Sequence, residues 1–251
     1  MKFDYLLLER LRHAENIVFF TGAGASTESG IPTFRNADHA FWVDFDLETY
    51  ATVAGFNTDP KKVLNWYAQS RQQIQSLQPN STHHVIAAWQ AKASKVTVIT
   101  QNIDGFHQRA GSKQVIELHG NINHHKCVEN NHKADLLIDT DQEPQRCSHC
   151  DSLIRPDVIW FNEALPEAAF GLAEVTSFDC DVFVSIGCSM EVYPAASLPI
   201  SASRCGAYLL QINPMTTDLN QHADCNLVGK SGEILPKLWE AVWGEAFKSA
   251  A

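Results

Sequence analysis

The stretch NIVFFTGAGASTESGIPTFR at residues 16–35 decides the fold class of this chain. Its first six residues are a nearly continuous apolar run, which is typical of a strand that is covered on both faces of a parallel sheet. The run passes directly into Gly22-Ala23-Gly24-Ala25-Ser26. Glycines at that point allow the backbone to approach a diphosphate. The stretch therefore predicts an α/β domain with a nucleotide-binding loop.

Two features of this region exclude common nucleotide-binding classes. The loop lacks the Gly-Lys-Ser/Thr sequence of nucleoside triphosphatases, and Gly30 comes too late to be the third glycine of the usual dinucleotide fingerprint. The next predicted strand ends in Gln101-Asn102 rather than in the acidic residue that holds a ribose in dehydrogenases. The pattern indicates dinucleotide binding of an unusual kind, without hydride transfer.

Further strand-like runs, separated by helical stretches, predict a largely parallel, doubly wound sheet. Beyond residues 16–21, these runs are 96–100, 115–119, 182–187 and 207–213. Ligands of such sheets bind beyond the carboxyl ends of the strands. Here those ends carry glycine or short polar residues, at positions 22–26, 101–104, 119–120, 187–189 and 213. We therefore expect one polar crevice at this edge of the sheet.

Two stretches interrupt the alternation and predict a smaller module. Residues 41–79 contain one clear helix over 59–77, in which Asp59 suits the N-cap and Pro60 suits the first turn. Residues 123–155 are polar, rich in histidine and hold three cysteines. We expect a Rossmann-like domain of residues 1–40, 80–122 and 156–251, into which a helical part (41–79) and a cysteine-containing part (123–155) are inserted.

The composition predicts a globular protein of the cytosol. The 251 residues carry 19 Lys and Arg against 29 Asp and Glu, a formal net charge of −10, and no basic run suggests a nucleic-acid or membrane partner. No apolar run is long enough to span a bilayer, and MKFDYLLLERLRHAENI at the start predicts an amphipathic helix rather than a signal peptide. The seven cysteines are therefore expected to be reduced thiols or metal ligands. We expect a monomer or weak oligomer.

Seven motifs of this chain resemble, in order, those of the sirtuin family. They are GAGASTESGIPTFR, TQNIDGFHQRAG, ELHG, CSHC followed by LIRPDVIWFNE, SIGCS, QIN and GKSGEILPKLW, and they extend from about residue 16 to residue 239. The resemblance is closest to the desuccinylase-type branch of bacteria and mitochondria. It implies an NAD-dependent lysine deacylase that acts on acylated proteins and releases nicotinamide and O-acyl-ADP-ribose.

The resemblance also implies which residues bind NAD and which take part in catalysis. The catalytic residues would be Asn102, Asp104 and His119, with His119 as the general base, because histidine titrates near neutrality and can take a proton from a ribose hydroxyl. His83 also matches a family histidine, but its position predicts a structural role at a helix start. The residues implied for NAD are Gly22, Ala23, Gly24, Ser26, Thr33, Phe34, Arg35, Gln101, Asn102, Ile103, Asp104, Gly187, Cys188, Ser189, Asn213, Pro214 and Ser231.

The cysteines depart from the family pattern of two Cys-x-x-Cys pairs around zinc. Cys147 and Cys150 form an intact pair, but Cys127 is followed by Asn130 where the fourth cysteine belongs. A histidine at 124, 125 or 132 could complete a Cys₃His site. Alternatively, the site has decayed and packing alone holds the module. The expectation is a zinc-ribbon-like part with Zn²⁺ on the three cysteines.

The residues implied for substrate binding also depart from the pattern. In the desuccinylase-type branch, a Tyr-x-x-Arg pair recognises acidic acyl groups, and DPKKVLNWYAQSRQQI at 59–74 places Tyr67 at the tyrosine position. Ser70 takes the arginine position, and Arg71 is rotated from it by roughly 100° on a helix. We therefore expect a weakened preference for succinyl or malonyl groups. Peptide contacts are implied for Val158, Ile159, Trp160 and Phe161.

Two other functions share these nucleotide motifs. One is NAD cleavage without deacylation, by an NAD glycohydrolase or an ADP-ribosyltransferase. The other is a non-catalytic NAD-sensing protein, because a fold does not fix a function. The peptide-binding segment favours the deacylase over the first, and the presence of His119, Asn102 and Asp104 favours it over the second.

Overall fold

The computed structural model describes residues 1–33, 45–134 and 144–248. Within them, the strands are Asn16–Thr21 (β1), Lys95–Thr100 (β2), Val115–Glu117 (β3), Gly120–Cys127 (β4), Lys133–Ala134 (β5), Ile154–Val158 (β6), Val182–Ile186 (β7), Tyr208–Asn213 (β8) and Cys225–Val228 (β9). The α-helices are Tyr5–His13 (α1), Leu47–Tyr50 (α2), Val53–Thr58 (α3), Pro60–Ser76 (α4), Ser81–Lys92 (α5), Phe106–Arg109 (α6), Glu167–Phe178 (α7), Leu198–Arg204 (α8) and Ser231–Trp243 (α9). Short 3₁₀-helices are formed by Ala23–Ser29, Ala195–Ser197 and Asp218–Gln221.

The main sheet has six parallel strands in the order β3-β2-β1-β7-β8-β9. In chain order, β1, β2 and β3 extend the sheet to one edge. Strand β7 then pairs with β1 on its other side, and β8 and β9 extend the sheet to the opposite edge. The strand order therefore reverses between β1 and β7, and ligands of doubly wound sheets bind at such a switch point. This architecture confirms the Rossmann-like fold class predicted from the sequence.

Both faces of the main sheet are covered, which explains why its strands are nearly continuous apolar runs. On one face, Phe19 of β1 packs against Trp89 of α5, with ring centroids 6.0 Å apart, in a cluster shared with α1 and α9. On the other face, Phe20 packs against Phe183 of β7 at 5.7 Å, in a cluster shared with α7 and α8. Because the interior is filled from both sides, the strand ends are fixed in position.

A second, antiparallel sheet in the order β5-β4-β6 lies beside helices α2, α3 and α4. One apolar cluster joins the two parts, and in it the rings of Phe56 and Trp160 lie 5.2 Å apart. Asp59 caps α4 as predicted, since its side chain accepts a hydrogen bond of 3.0 Å from the amide of Lys62, and Pro60 is the first helical residue. The division into a larger and a smaller domain stays an interpretation of the sequence.

Two strands of the main sheet differ from the sequence predictions by more than one residue. The strand predicted over 115–119 ends at Glu117, although the amide of Leu118 still donates to the carbonyl of Thr100 at 2.9 Å, and the chain then turns at Gly120 (φ 79°) into β4. The edge strand β9 was not predicted, because it is short and half exposed. None of the helices in the described ranges combines the length and apolar character that crossing a bilayer requires.

Candidate active site

Two glycine-containing loops meet at the switch point of the main sheet. The amide of Gly24 donates to the carbonyl of Gly187 at 3.0 Å, and the amide of Gly22 donates to the carbonyl of Ile186 at 3.0 Å. A Cβ atom on Gly24 would lie 2.6 Å from Gly187 Cα, and one on Gly22 would lie 2.9 Å from the carbonyl oxygen of Gly187. Only residues without side chains allow this approach. The exposed side of the loop is thus bare backbone, which suits a diphosphate.

Beneath the glycine loop, three buried polar side chains share hydrogen bonds. Asn102 Nδ2 donates to the carbonyl of Gly22 at 3.0 Å and to Ser26 Oγ at 3.2 Å. Ser26 Oγ donates to Asp104 Oδ2 at 2.7 Å, and Asp104 Oδ1 accepts from the amide of Phe106 at 2.8 Å. Burial raises the pKa of Asp104. These contacts hold the end of β2 against the loop after β1.

His83 belongs to this network through the start of α5. Its Nδ1 atom accepts from the amide of Asn80 at 3.2 Å, as one half of a capping box. Because Nδ1 accepts, the proton of the neutral ring lies on Nε2, which contacts Ser26 Oγ at 3.4 Å. Burial lowers the pKa of His83, so the ring is neutral at pH 7. The predicted position of His83 at a helix start is confirmed, and its ring caps that helix.

His119 lies just after β3 with one ring nitrogen fixed. Its Nδ1 atom is 2.9 Å from the carbonyl oxygen of Gln101, and a carbonyl can only accept, so Nδ1 carries the proton. The lone pair is therefore on Nε2. Burial lowers the pKa of His119, which keeps the ring neutral at pH 7. A neutral imidazole with a fixed tautomer has the properties of a general base.

The residues implied for the adenosine half of NAD lie at the ends of β7, β8 and α9. Asn213 Nδ2 donates to the carbonyl of Cys188 at 2.9 Å, and Ser231 Oγ lies 2.8 Å from Thr82 Oγ1 at the start of α5. Cys188 is buried, and burial raises the pKa of its thiol to about 12, so it packs as an apolar side chain. Glu28, which the sequence analysis did not single out, accepts from the amide of Gly232 at 2.8 Å and ties the glycine loop to α9.

The other residues implied for NAD follow the same strand ends. Ala23 and Ser189 are half-buried in the two crossing loops, and Pro214 is exposed directly after β8. Ile103 accepts a hydrogen bond of 2.9 Å from the amide of Ile122. Thr33 ends the first described range, and Phe34 and Arg35 lie outside the described residues.

The segment implied for peptide binding, residues 158–161, is held at three consecutive amides. The amide of Ile159 donates to the carbonyl of His119 at 2.9 Å, that of Trp160 to Glu163 Oε2 at 2.7 Å, and that of Phe161 to the carbonyl of Ala51 at 2.9 Å. This segment therefore connects directly to His119. Sequence reasoning missed Glu163 and its partner Arg155, although three charged residues within the otherwise apolar stretch LIRPDVIWFNE were a signal.

Tyr67 and Arg71 share helix α4 but make separate contacts. Tyr67 is buried, its hydroxyl accepts from Trp160 Nε1 at 2.9 Å, and burial raises its pKa to about 12. Arg71 Nη1 contacts His125 Nε2 at 3.0 Å and the carbonyl of Ile122 at 3.3 Å. Burial, and next the charge of Arg71, lower the pKa of His125 to about 4, so His125 accepts as a neutral ring. The guanidinium thus bonds to strand β4.

Three cysteines and one histidine converge at the far end of the small sheet. The ligand atoms of Cys127, His132, Cys147 and Cys150 all lie within 4.8 Å of one another. Cys127 Sγ and Cys150 Sγ are 3.7 Å apart, and Cys147 Sγ is 3.5 Å from His132 Nδ1. A tetrahedral zinc ion with the usual bond lengths spaces two sulfurs roughly 3.8 Å apart, and a sulfur and a nitrogen roughly 3.5 Å apart. The four residues therefore fit Zn²⁺.

The same geometry distinguishes among the three histidines considered as the fourth ligand. His132 lies in the cluster, whereas His124 is exposed and His125 contacts Arg71. The amides of His132 and His149 point at Cys127 Sγ (3.2 Å) and Cys147 Sγ (3.4 Å), as expected around metal-bound thiolates. The cluster is thus a candidate Cys₃His site.

Comparison with known proteins gives the same fold and family. Residues 22–194 match the Sir2 family. An NAD-dependent protein deacylase of Methylococcus capsulatus is 43% identical over 250 residues, which cover 96% of this chain and 98% of that protein. A solved Sir2 homologue in complex with NAD superposes with a TM-score of 0.90 at 37% identity, covering 97% of this chain and 95% of the other. A Sir2 complex with a p53 peptide and NAD⁺ superposes with a TM-score of 0.82 at 33% identity, covering 98% and 100%. This chain therefore belongs to the Sir2 family.

Proposed function

We propose that this protein is an NAD-dependent deacylase of acylated lysines in proteins. One observation supports the proposal above all others. His119 is bonded on two sides: its side chain hydrogen-bonds Gln101 after β2, and its main-chain carbonyl accepts from the amide of Ile159. The lone pair of its other ring nitrogen, Nε2, is left to act as a base. A base that is fixed to both the dinucleotide loop region and the peptide segment can serve a reaction between the two ligands.

The residues at the switch point would hold the dinucleotide. NAD, when bound, supplies the ribose that accepts the acyl group and the nicotinamide that leaves. The loop that contains Gly22, Gly24 and Ser26 would lie against the diphosphate, because glycines at 22 and 24 leave no side chain between the backbone and the ligand. Asn102 and Asp104 would orient the nicotinamide half from the end of β2. Ser189, Asn213 and Ser231 would bind the adenosine half.

His119 would act as the general base at its Nε2 atom. The hydrogen bond from Nδ1 to the carbonyl of Gln101 fixes the tautomer and stabilises the imidazolium once Nε2 has taken a proton. Because burial lowers the pKa of His119, the base is present in its active form at neutral pH. Such a base typically contributes a rate factor of about 10²–10⁴.

The preferred acyl group in this proposal is uncharged. Tyr67 is a neutral phenol that hydrogen-bonds Trp160, and Ser70 follows it on the helix where an acidic acyl group would need a cation. Arg71 bonds to Ile122 and His125, so redirecting it to a carboxylate would break both contacts. The surrounding cluster of Ile31, Phe56 and Trp160 is apolar. Acetyl groups fit this environment better than succinyl groups.

Product analysis tests the proposed reaction. Purified protein is incubated with NAD and peptides that carry acetyl-, propionyl-, succinyl- or malonyl-lysine, and the products are identified by mass spectrometry. We expect free lysine peptide, nicotinamide and O-acyl-ADP-ribose in equal amounts, with the highest turnover for acetyl. Free ADP-ribose or an ADP-ribosylated protein would instead support the glycohydrolase or transferase. A thermal shift with NAD but no nicotinamide release would support an NAD-sensing protein.

We assign the Cys₃His cluster a structural role. Its ligands come from β4 and from the chain on either side of the undescribed residues 135–143, and Cys127 packs with Ile154 of β6. A zinc ion there would crosslink these segments, as closed four-ligand sites do. It would leave the acyl-transfer chemistry to the residues at the switch point.

A further inference from the structure

Arg155 is the most deeply buried cation of the described chain, with a side chain 2% exposed. Its guanidinium forms a bidentate pair with Glu163, from Nη1 to Oε1 at 2.7 Å and from Nη2 to Oε2 at 2.6 Å. Nη2 also donates to the carbonyl of Val158 at 2.6 Å. The guanidinium stacks on the indole of Trp160, with Cζ of Arg155 3.5 Å from the ring centroid. One side chain thus holds both ends of the segment 158–160.

Glu163 reaches back to this segment because the chain makes a tight turn. The amide of Glu163 donates to the carbonyl of Trp160 at 3.1 Å, and Asn162 between them adopts a left-handed conformation (φ 69°), which asparagine tolerates. The turn brings Glu163 Oε2 to 2.7 Å from the amide of Trp160. Partial burial alone would raise the pKa of Glu163, but hydrogen bonds from Arg155 and Trp160 lower it, so the group is a carboxylate.

The three amides of residues 159–161 differ in what fixes them. Those of Ile159 and Phe161 donate to main-chain carbonyls, of His119 and Ala51. The central amide, of Trp160, depends on the carboxylate of Glu163, which Arg155 holds in place. The indole of Trp160 in turn donates to Tyr67. The ion pair therefore controls the backbone and the side chain at the middle of the segment.

From this geometry we propose that Arg155 and Glu163 are positioning residues for the acyl-peptide. Together they hold residues 158–161 in the one conformation that can bind the peptide beside His119, and they contribute nothing to NAD binding. This inference rests on the proposed function. A role in stability alone explains the pair less well, because a buried ion pair stabilises a fold little compared with apolar residues of similar size. Its contacts to the carbonyl of Val158 and the amide of Trp160, in contrast, constrain the segment directly.

A double-mutant cycle separates positioning from stability. Glu163→Gln leaves a buried guanidinium without its counterion, and Arg155→Met leaves a carboxylate without its partner, so each single change destabilises the fold. The double variant Arg155→Met/Glu163→Gln has no uncompensated charge. It should recover much of the lost thermal stability, but it cannot restore the bidentate contact or the bond to the carbonyl of Val158. KM for an acetyl-lysine peptide, KM for NAD, and Tm are measured for all four proteins.

We expect each single variant to raise KM for the peptide roughly tenfold, the effect of about one lost hydrogen bond. KM for NAD should stay within about twofold of the wild type, and the double variant should keep the raised peptide KM while its Tm recovers. Asp157→Asn is the matched control. It removes a negative charge, as Glu163→Gln does, and lies on β6 with Arg155, but its partner is Lys126, 3.0 Å away, and its peptide KM should not change.

Three results would overturn the positioning role. They are a peptide KM that returns to the wild-type value in the double variant together with Tm, a peptide KM unchanged in every variant, and equal increases in both KM values. A wild-type protein that releases no nicotinamide with any acyl-peptide would contradict the proposed function itself. The wild-type reaction therefore tells the two failures apart.

Discussion

The main-chain amide of Ile159 donates a hydrogen bond of 2.9 Å to the carbonyl oxygen of His119. Through this bond, the candidate general base and the candidate peptide segment are neighbours across the junction between β4 and β6, where Gly120 pairs with Val158. The main chain of His119 and the candidate peptide segment are therefore held together. Because this bond uses only main-chain atoms, a change of the His119 side chain should affect the chemistry and have little effect on the surfaces that bind the two ligands.

Replacing His119 with alanine should strongly slow deacylation and preserve NAD binding. The change removes the base, so kcat should fall by about 10²–10⁴, whereas the glycine loop and its hydrogen bonds are untouched. Nicotinamide release and calorimetric NAD binding measure the two effects. His222→Ala, an exposed histidine, is the matched control and should retain full activity. Wild-type turnover in His119→Ala would show that another group is the base.

Replacing Gly24 with alanine should destabilise the fold and weaken NAD binding. The new Cβ would lie 2.6 Å from Gly187 Cα, so the two loops must separate, which typically costs about 1–3 kcal/mol. Gly171→Ala is the control, since a Cβ there meets nothing within 4 Å on helix α7 and should raise stability by up to about 1 kcal/mol. Urea unfolding measures the stability of both variants, and calorimetry measures their NAD binding. Equal stability of the two variants would contradict the close approach of the loops.

Replacing His132 with alanine should lower zinc affinity. The cluster then keeps only its three sulfur ligands, so the metal should be lost to a competing chelator at lower concentration than from the wild type. The wild type should contain about one zinc per chain by metal analysis. His149→Ala is the matched control, because its ring lies 5.2 Å from that of His132 but is not a member of the cluster. A zinc content near zero in the wild type would show that the cluster does not bind zinc.

The stability of this protein should fall on acidification partly through His107. This ring is buried on helix α6, with Nε2 2.9 Å from Thr21 Oγ1 at the end of β1, and burial lowers its pKa to about 4. The unfolded chain binds the proton more tightly, so the stabilisation by neutral His107 is complete above pH 6.5 and is lost as pH falls toward 4. The loss is about 3 kcal/mol. In His107→Gln, which can still donate to Thr21, the free energy of unfolding should decline less over this range. Parallel pH profiles of the two proteins would refute this.

Replacing Arg71 with alanine should leave the ratio of acetyl to succinyl turnover nearly unchanged. The guanidinium bonds to Ile122 and His125, so its loss should lower Tm through strand β4 rather than alter acyl choice. Competition between acetyl- and succinyl-lysine peptides in one reaction gives the ratio directly. A succinyl preference in the wild type that disappears in Arg71→Ala would show that Arg71 binds the acyl carboxylate.

The main sheet could be predicted because each of its inner strands is a nearly continuous apolar run between polar ends. Strand β1 was predicted to the residue, and β2, β7 and β8 within one residue at each end. Strand β9 was missed because alternate residues of this short edge strand are exposed, so its sequence resembles a loop. The three-stranded sheet was also missed. Its strands are polar and pair across long insertions, so no local pattern marks them.

The candidate site could be predicted less evenly. The glycine loop and the strand ends follow from local sequence, since their residue types are required by backbone geometry. The choice of His132 over His124 and His125 does not, because all three are close in sequence to Cys127 and only the path of β4 separates them. Arg155 and Glu163 were missed for a related reason. Their importance comes from burial, and charged residues in a sequence are ordinarily expected to be exposed.

The crossing of the loops around Gly24 and Gly187 also orders events during protein synthesis. The first loop emerges from the ribosome early, but its partner follows β7, in the last third of the chain. Under the proposed function, a nascent chain that ends before that point lacks half of the candidate NAD site and is not stabilised by NAD. Folding of the candidate dinucleotide site must therefore wait until β7 and the loop after it have been made.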